Sequence, residues 1–140
     1  MSPLVRNILA VVLAIIVGMA VNMGLIMLSG SVIPLPDGVD PNNMESVKKN
    51  IHLFQPKHFL FPFLAHSLGT LAGAIVASFV AASSAFRLSM GIGAFFLLGG
   101  IAAAFMIPAP GWFIGVDLLF GYLPMGYLGW MIAGKPTDAA

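Results

Sequence analysis

The chain contains no cysteine. Disulfide scaffolds, thiolate metal sites and membrane thiol-redox chemistry are therefore excluded. Charge is also scarce. Six Lys and Arg stand against five Asp and Glu, 8% of the residues and a formal net charge of +1. Ordinary soluble domains carry about 25% charged residues. Nothing here makes a basic surface, so no nucleic acid is expected as a partner. The sequence also lacks a nucleophile-and-base motif, a phosphate-cradling loop and paired carboxylates. Residue spacing therefore implies no catalytic residue and no cofactor. His58 and His66 are eight apart, over two helical turns or about 12 Å, and His52 does not join them at ligand spacing. One deep His with one Asp is too few for a closed zinc site, so no metal is expected.

What remains is apolar. The hydrophobic fraction is 59%, against roughly 45–50% in soluble domains. Sixteen glycines suit transmembrane helices, where glycine is common. Nine Met and eleven Phe suit packing and lipid-facing surfaces. The length of 140 residues is that of one domain. The expectation is a single all-α membrane domain over 1–140, a four-transmembrane-helix bundle.

The first span is expected over about 7–29. Ile8 to Leu28 carries no charge and one strongly polar residue, Asn22. Its 21 residues reach about 31 Å, enough to cross a hydrocarbon core of about 30 Å. A secretory signal would have a shorter apolar run and an A-x-A-like site, so an uncleaved span is preferred. Residues 29–56 form the long polar segment, opening on Pro34-Leu-Pro36-Asp37-Gly38. Asp40 before Pro41 predicts a cap and a first helical residue. Met44, Val47, Ile51 and Phe54 share one stripe, which predicts a short amphipathic surface helix over about 41–53. It either caps the bundle or acts as a lid over an opening.

The second span is expected over about 57–82, with Pro62 tolerated in its early turns. Small residues recur there every fourth position: Ala65, Gly69, Gly73, Ala77 and Ala81. Such a row lets helix backbones approach closely. Gly69, Gly73 and Ala77, with Gly99 on the third span, are the expected packing positions. The third span, about 88–107, reads as purely structural. Pro108-Ala-Pro110-Gly111 ends it. The fourth span covers about 112–133, with Pro124 bending it near the middle and freeing the Phe120 carbonyl. Asp117 lies in its first third. It could instead cap a span that starts late.

Depth connects the polar residues. Asn22, His66 and Asp117 each fall roughly 8–12 Å below the same interface at 1.5 Å per residue. Polar groups at that depth face the bundle interior or a wet cavity and seek partners. The three are expected to converge, with Ser67 and Thr70 close by. The candidate ligand-binding residues are thus Asn22, His66, Thr70 and Asp117. For His66 and Asn22 the plainer reading is interhelical hydrogen bonding without a ligand, and for Asp117 it is the cap of a span that starts late.

At His66-Ser-Leu-Gly69-Thr70 with Gly73, and at Pro108-Ala-Pro110-Gly-Trp112-Phe113 with Asp117, the chain resembles small uncharacterised four-helix integral membrane proteins of bacteria. The resemblance implies an inner-membrane location and implies no activity. Four spans put both termini on one face. Lys48, Lys49 and Lys57 tie with Arg6, Arg87 and Lys135 in the positive-inside count. Cytoplasmic termini are preferred because the 29–56 segment mixes its cations with Asp37, Asp40 and Glu45. The expected partners are the bilayer, a hydrophobic small molecule, and copies of the chain or a larger membrane complex. The leading function is a non-catalytic binding or accessory module with an outer-leaflet cavity for a lipid-like or quinone-like molecule. The alternatives are a proton-linked small transporter or channel, and a lipid-modifying enzyme using His66 as base.

Overall fold

The computed structural model describes residues 1–134, and every described element is helical. Lys135, counted above among the cations of the terminal face, lies outside the described residues. Helix α1 runs Pro3–Val32, α2 Met44–Asn50, α3 Leu60–Val80, α4 Ala85–Met106, α5 Gly111–Phe120 and α6 Leu123–Ala133. Four spans are long and apolar enough to cross a membrane: α1, α3 with the short 3₁₀ turn Pro56–Phe59 before it, α4, and α5 with α6. The chain reads as an integral membrane protein built as a four-helix bundle.

α1 is longer than its uncharged core. The Ser2 hydroxyl accepts the Val5 N–H at 3.3 Å and Pro3 supplies a fixed first φ, so the helix begins before Arg6. Its 30 residues span about 45 Å. α1 fully buries only Ala10, Ala14 and Gly18, packs Val11 and Ile15 half-buried beside them, and turns most of its other Leu, Ile, Val and Met side chains outward, where lipid replaces a protein core.

That narrow face packs antiparallel on α3. A methyl group placed on Gly69 would lie 2.8 Å from the Gly18 carbonyl oxygen, and one on Gly73 2.8 Å from that of Ala14. Only glycine permits this approach. The core beneath is Ala14, Ala77 and Ile92. α3 is central, touching α1, α4 and α6. Ser89, fully buried on α4, joins three helices by donating its hydroxyl to the Gly126 carbonyl at 2.7 Å and lying 3.3 Å from that of Ala74.

The first turn of α1 also closes the α3–α4 corner. Arg6 Nε donates to the Val80 carbonyl at 2.7 Å. Asn7 Oδ1 accepts from the Ala82 and Ser83 N–H groups, and its Nδ2 donates to Ser83 Oγ. These bonds serve backbone groups that a helix end leaves open.

Several expectations are corrected. The amphipathic helix is α2 over Met44–Asn50, followed by a 3₁₀ turn at Ile51–Leu53, and not one helix over 41–53. Asn43, not Asp40, caps it, accepting from the Glu45 and Ser46 N–H groups at 3.0 and 3.3 Å. Asp40 holds a tight turn instead, accepting from Asn42 N–H at 2.9 Å. The third span starts at Ala85. The fourth is broken, not merely bent: α5 stops at Phe120 and α6 restarts at Leu123 with Pro124 in its first turn. Pro124 has no N–H for the Phe120 carbonyl, so the ladder parts there. Gly99 is not a packing glycine. A methyl group on it would meet nothing within 4 Å. The tight glycines of α4 are Gly93, beside the Tyr122 carbonyl, and Gly100, against the Tyr122 ring.

Candidate functional site

The break in the fourth span sets up the site. Leaving helical geometry at Tyr122 (φ −131°, ψ −75°) carries that side chain inward, where it is almost fully buried. Its ring lies where any side chain on Gly100 would stand. It stacks on the His66 ring, with centroids 5.7 Å apart and planes 27° apart. The Tyr122 hydroxyl donates to Asp117 Oδ2 at 3.0 Å.

Asp117 is the centre of the arrangement. It lies well inside α5, which starts at Gly111, so it is not the cap of a late span. It is 5% exposed. Its second oxygen, Oδ1, lies 2.8 Å from His66 Nδ1. One carboxylate thus holds a Tyr hydroxyl and a His ring at once. This fixes the ring's rotation and commits Nδ1, leaving Nε2 with no partner among the described residues. The His66 side chain is 25% exposed.

His66 stands between two cavities. The larger, about 480 Å³, lies between α1, α3 and α4; its walls include Asn22, His66, Thr70, Phe96 and Tyr122. Met19, Phe95 and Leu98 also line it and are exposed on the outside of the bundle, so the cavity opens sideways towards the lipid. The smaller, about 250 Å³, lies beneath the polar segment. Val47, Ile51 and Phe54 cover it, and Asp117 and Ile26 are among its walls. The apolar stripe read from the sequence is therefore a cover. His66, Gly100 and Ala103 line both cavities.

The expected convergence holds for two of three residues by direct contact. His66 and Asp117 are bonded. Asn22 packs over Gly69 and shares the lateral cavity with His66, but bonds to neither partner; its Oδ1 is buried and unpaired. Thr70 faces the same cavity, while its hydroxyl donates to the His66 carbonyl one turn back at 2.7 Å. Ser67 likewise satisfies itself on the Phe63 carbonyl at 2.8 Å. α4 is not purely structural, because Phe95, Phe96, Gly99 and Gly100 form a cavity wall. Sequence reasoning passed over Tyr122. Its signal was present in Gly121 and Pro124, which make a break, and in an aromatic with a polar tip placed inside it.

No cluster of three or more His, Asp or Glu able to hold a metal occurs among the described residues. No family model, curated protein or solved structure matches the chain. The functional reading therefore rests on geometry: apolar walls, a lateral opening, and one polar corner held by a carboxylate.

Proposed function

We propose that the protein is a non-catalytic binding or accessory module of the membrane, whose lateral cavity accepts a lipid-like or quinone-like molecule. The observation that carries this reading is the cavity itself. Its volume falls within the roughly 300–1,000 Å³ of small-molecule sites, and a few placed polar groups among apolar walls are what such sites use. The opening between α1 and α4 faces the phase in which such a molecule dissolves. In this reading the protein lies in a bacterial inner membrane with cytoplasmic termini, which puts the cavity in the outer leaflet. The mixed charges of the 29–56 segment and the resemblance support that placement. The exposed apolar flank of α1 offers a surface to lipid, to further copies of the chain or to a larger complex.

Two observations favour binding over the alternatives. Towards the termini the bundle is packed around Ala14, Ala77 and Ile92, and the buried polar groups beside them are the hydroxyls of Ser78 and Ser89, neither of which titrates. The His66–Asp117 pair meets the geometric condition for a base, but the hydroxyls on the cavity wall are engaged elsewhere, Thr70 donating to the His66 carbonyl and Tyr122 to Asp117, and no second carboxylate is among the described wall residues. The test is mass spectrometry of hydrophobic molecules retained by protein purified in a mild detergent. Wild-type protein should retain a defined molecule, and Ala103→Phe, which fills the wall common to both cavities, should lose it while remaining folded. Wild-type protein that carries nothing beyond the phospholipid retained equally by Ala103→Phe would refute the proposal.

A further inference from the structure

The polarity of the site narrows the ligand. We infer that the lateral cavity takes an uncharged, membrane-soluble molecule whose head group offers a carbonyl oxygen, held by a hydrogen bond donated from His66 Nε2. This rests on the binding reading above and adds the chemistry of the head group.

Three observations lead to it. First, no Lys or Arg lines either cavity, so a phosphate head would have no counter-charge. Second, Asp117 is enclosed at membrane depth with only Tyr122 and His66 on its oxygens. A carboxylate left as a net charge there is costly. The pair is neutral overall when one proton is shared between Oδ1 and Nδ1 in addition to the hydrogen on Nε2. Wherever the shared proton sits, Nε2 keeps its hydrogen and is a donor. Third, Nε2 has no partner among the described residues, and Asn22 on the same wall, its Oδ1 buried and unpaired, also has side-chain amide hydrogens to give. A molecule that accepts hydrogen bonds completes this corner. A molecule with no acceptor atom leaves the Nε2 hydrogen unpaired.

The remaining walls suit a flat head and a trailing tail. Phe95, Phe96 and Tyr122 supply aromatic surface, and the exposed Met19 and Leu98 mark the way out between α1 and α4. A quinone ring has carbonyl oxygens on a flat apolar frame. An ester carbonyl of a neutral lipid presents the same acceptor, and the experiment distinguishes the two.

The test is equilibrium binding to the purified full chain in detergent, using decylubiquinone, decylbenzene, methyl decanoate and dioctanoyl phosphatidylglycerol as probes. The expected result is that a carbonyl probe binds at least about tenfold more tightly than decylbenzene, which has no acceptor, the size of one hydrogen bond to a polar partner. The tighter of decylubiquinone and methyl decanoate identifies the source of the carbonyl. The bound carbonyl stretch should move to lower wavenumber in the infrared. His66→Phe should lose both the affinity and the shift, and His66→Gln, which keeps an amide donor, should restore part of each. If His66→Phe does not fold, the wild-type infrared shift and its change in His66→Gln decide the matter. Decylbenzene binding as tight as that of the carbonyl probes overturns the donor assignment, and displacement by phosphatidylglycerol overturns the uncharged head group; either leaves the cavity reading standing. Failure of all four probes to bind overturns both.

Discussion

Alanine at Gly69 or Gly73 must push α1 away from α3. A Cβ at either position falls 2.8 Å from a carbonyl oxygen of α1, about 0.6 Å short of the 3.4 Å at which ordinary contact begins. The obstacle is backbone on both sides, so no rotamer change relieves it. Forcing a methyl group into a well-packed site costs about 1–3 kcal/mol. Gly99 provides the control, being on a neighbouring helix with nothing within 4 Å of its Cβ position. Gly99→Ala therefore gains the helix preference of alanine over glycine, about 0.5–1 kcal/mol. The two kinds of variant should separate by about 1.5–4 kcal/mol. The assay is reversible unfolding in mixed micelles titrated with a denaturing detergent, followed by circular dichroism. At Gly69 a second effect is expected, since the new methyl group also meets the Asn22 Cβ at 3.1 Å and displaces a cavity wall. Ligand retention should fall in Gly69→Ala more than in Gly73→Ala. Equal stability of Gly69→Ala, Gly73→Ala and Gly99→Ala would refute the packing argument.

Two further outcomes follow from the buried polar groups. Asp117→Ala leaves the Tyr122 hydroxyl without an acceptor and should lower stability by about 1–3 kcal/mol, whereas Asp117→Asn, able to bond both neighbours, should lose clearly less; near-ultraviolet circular dichroism of the tyrosine reports whether the ring has moved. Ser89→Ala removes the donor that ties α4 to α6 and should destabilise by about 0.6–1.7 kcal/mol in the same micelle titration; no change would mean that packing around Gly93 and Gly126 alone joins these helices.

The architecture was legible because membrane helices announce themselves by length and by freedom from charge. Small-residue spacing marked α3 as a helix of close backbone approach, and the structure shows that α1 is the helix that approaches it at Gly69 and Gly73. Axial depth was legible too. A fixed rise of 1.5 Å per residue put His66 and Asp117 at one level, and they meet. Rotation about each helix axis was harder to read. Gly91, Gly99 and Ala103 form a plausible row in sequence, but α4 turns the Ser89, Gly93 and Gly100 side to its neighbours because Tyr122 needs the space at Gly100. That need arises from the break at Gly121 and Tyr122. Proline was read as a bend because a single missing N–H normally gives no more. The start at Asn43 in place of Asp40 reflects turn chemistry, in which two Asx residues three apart compete and the one nearer the apolar stripe caps the helix.

The central claim is that the space between α1 and α4 holds a molecule against His66. A density map of the protein solubilised from its own membrane tests it most directly. The account predicts continuous non-protein density in the cavity, with its polar end within hydrogen-bond reach of His66 Nε2 and its tail leaving past Met19 and Leu98. A cavity closed by inward movement of Met19 and Phe96, with His66 Nε2 bonded to a protein carbonyl, would contradict it.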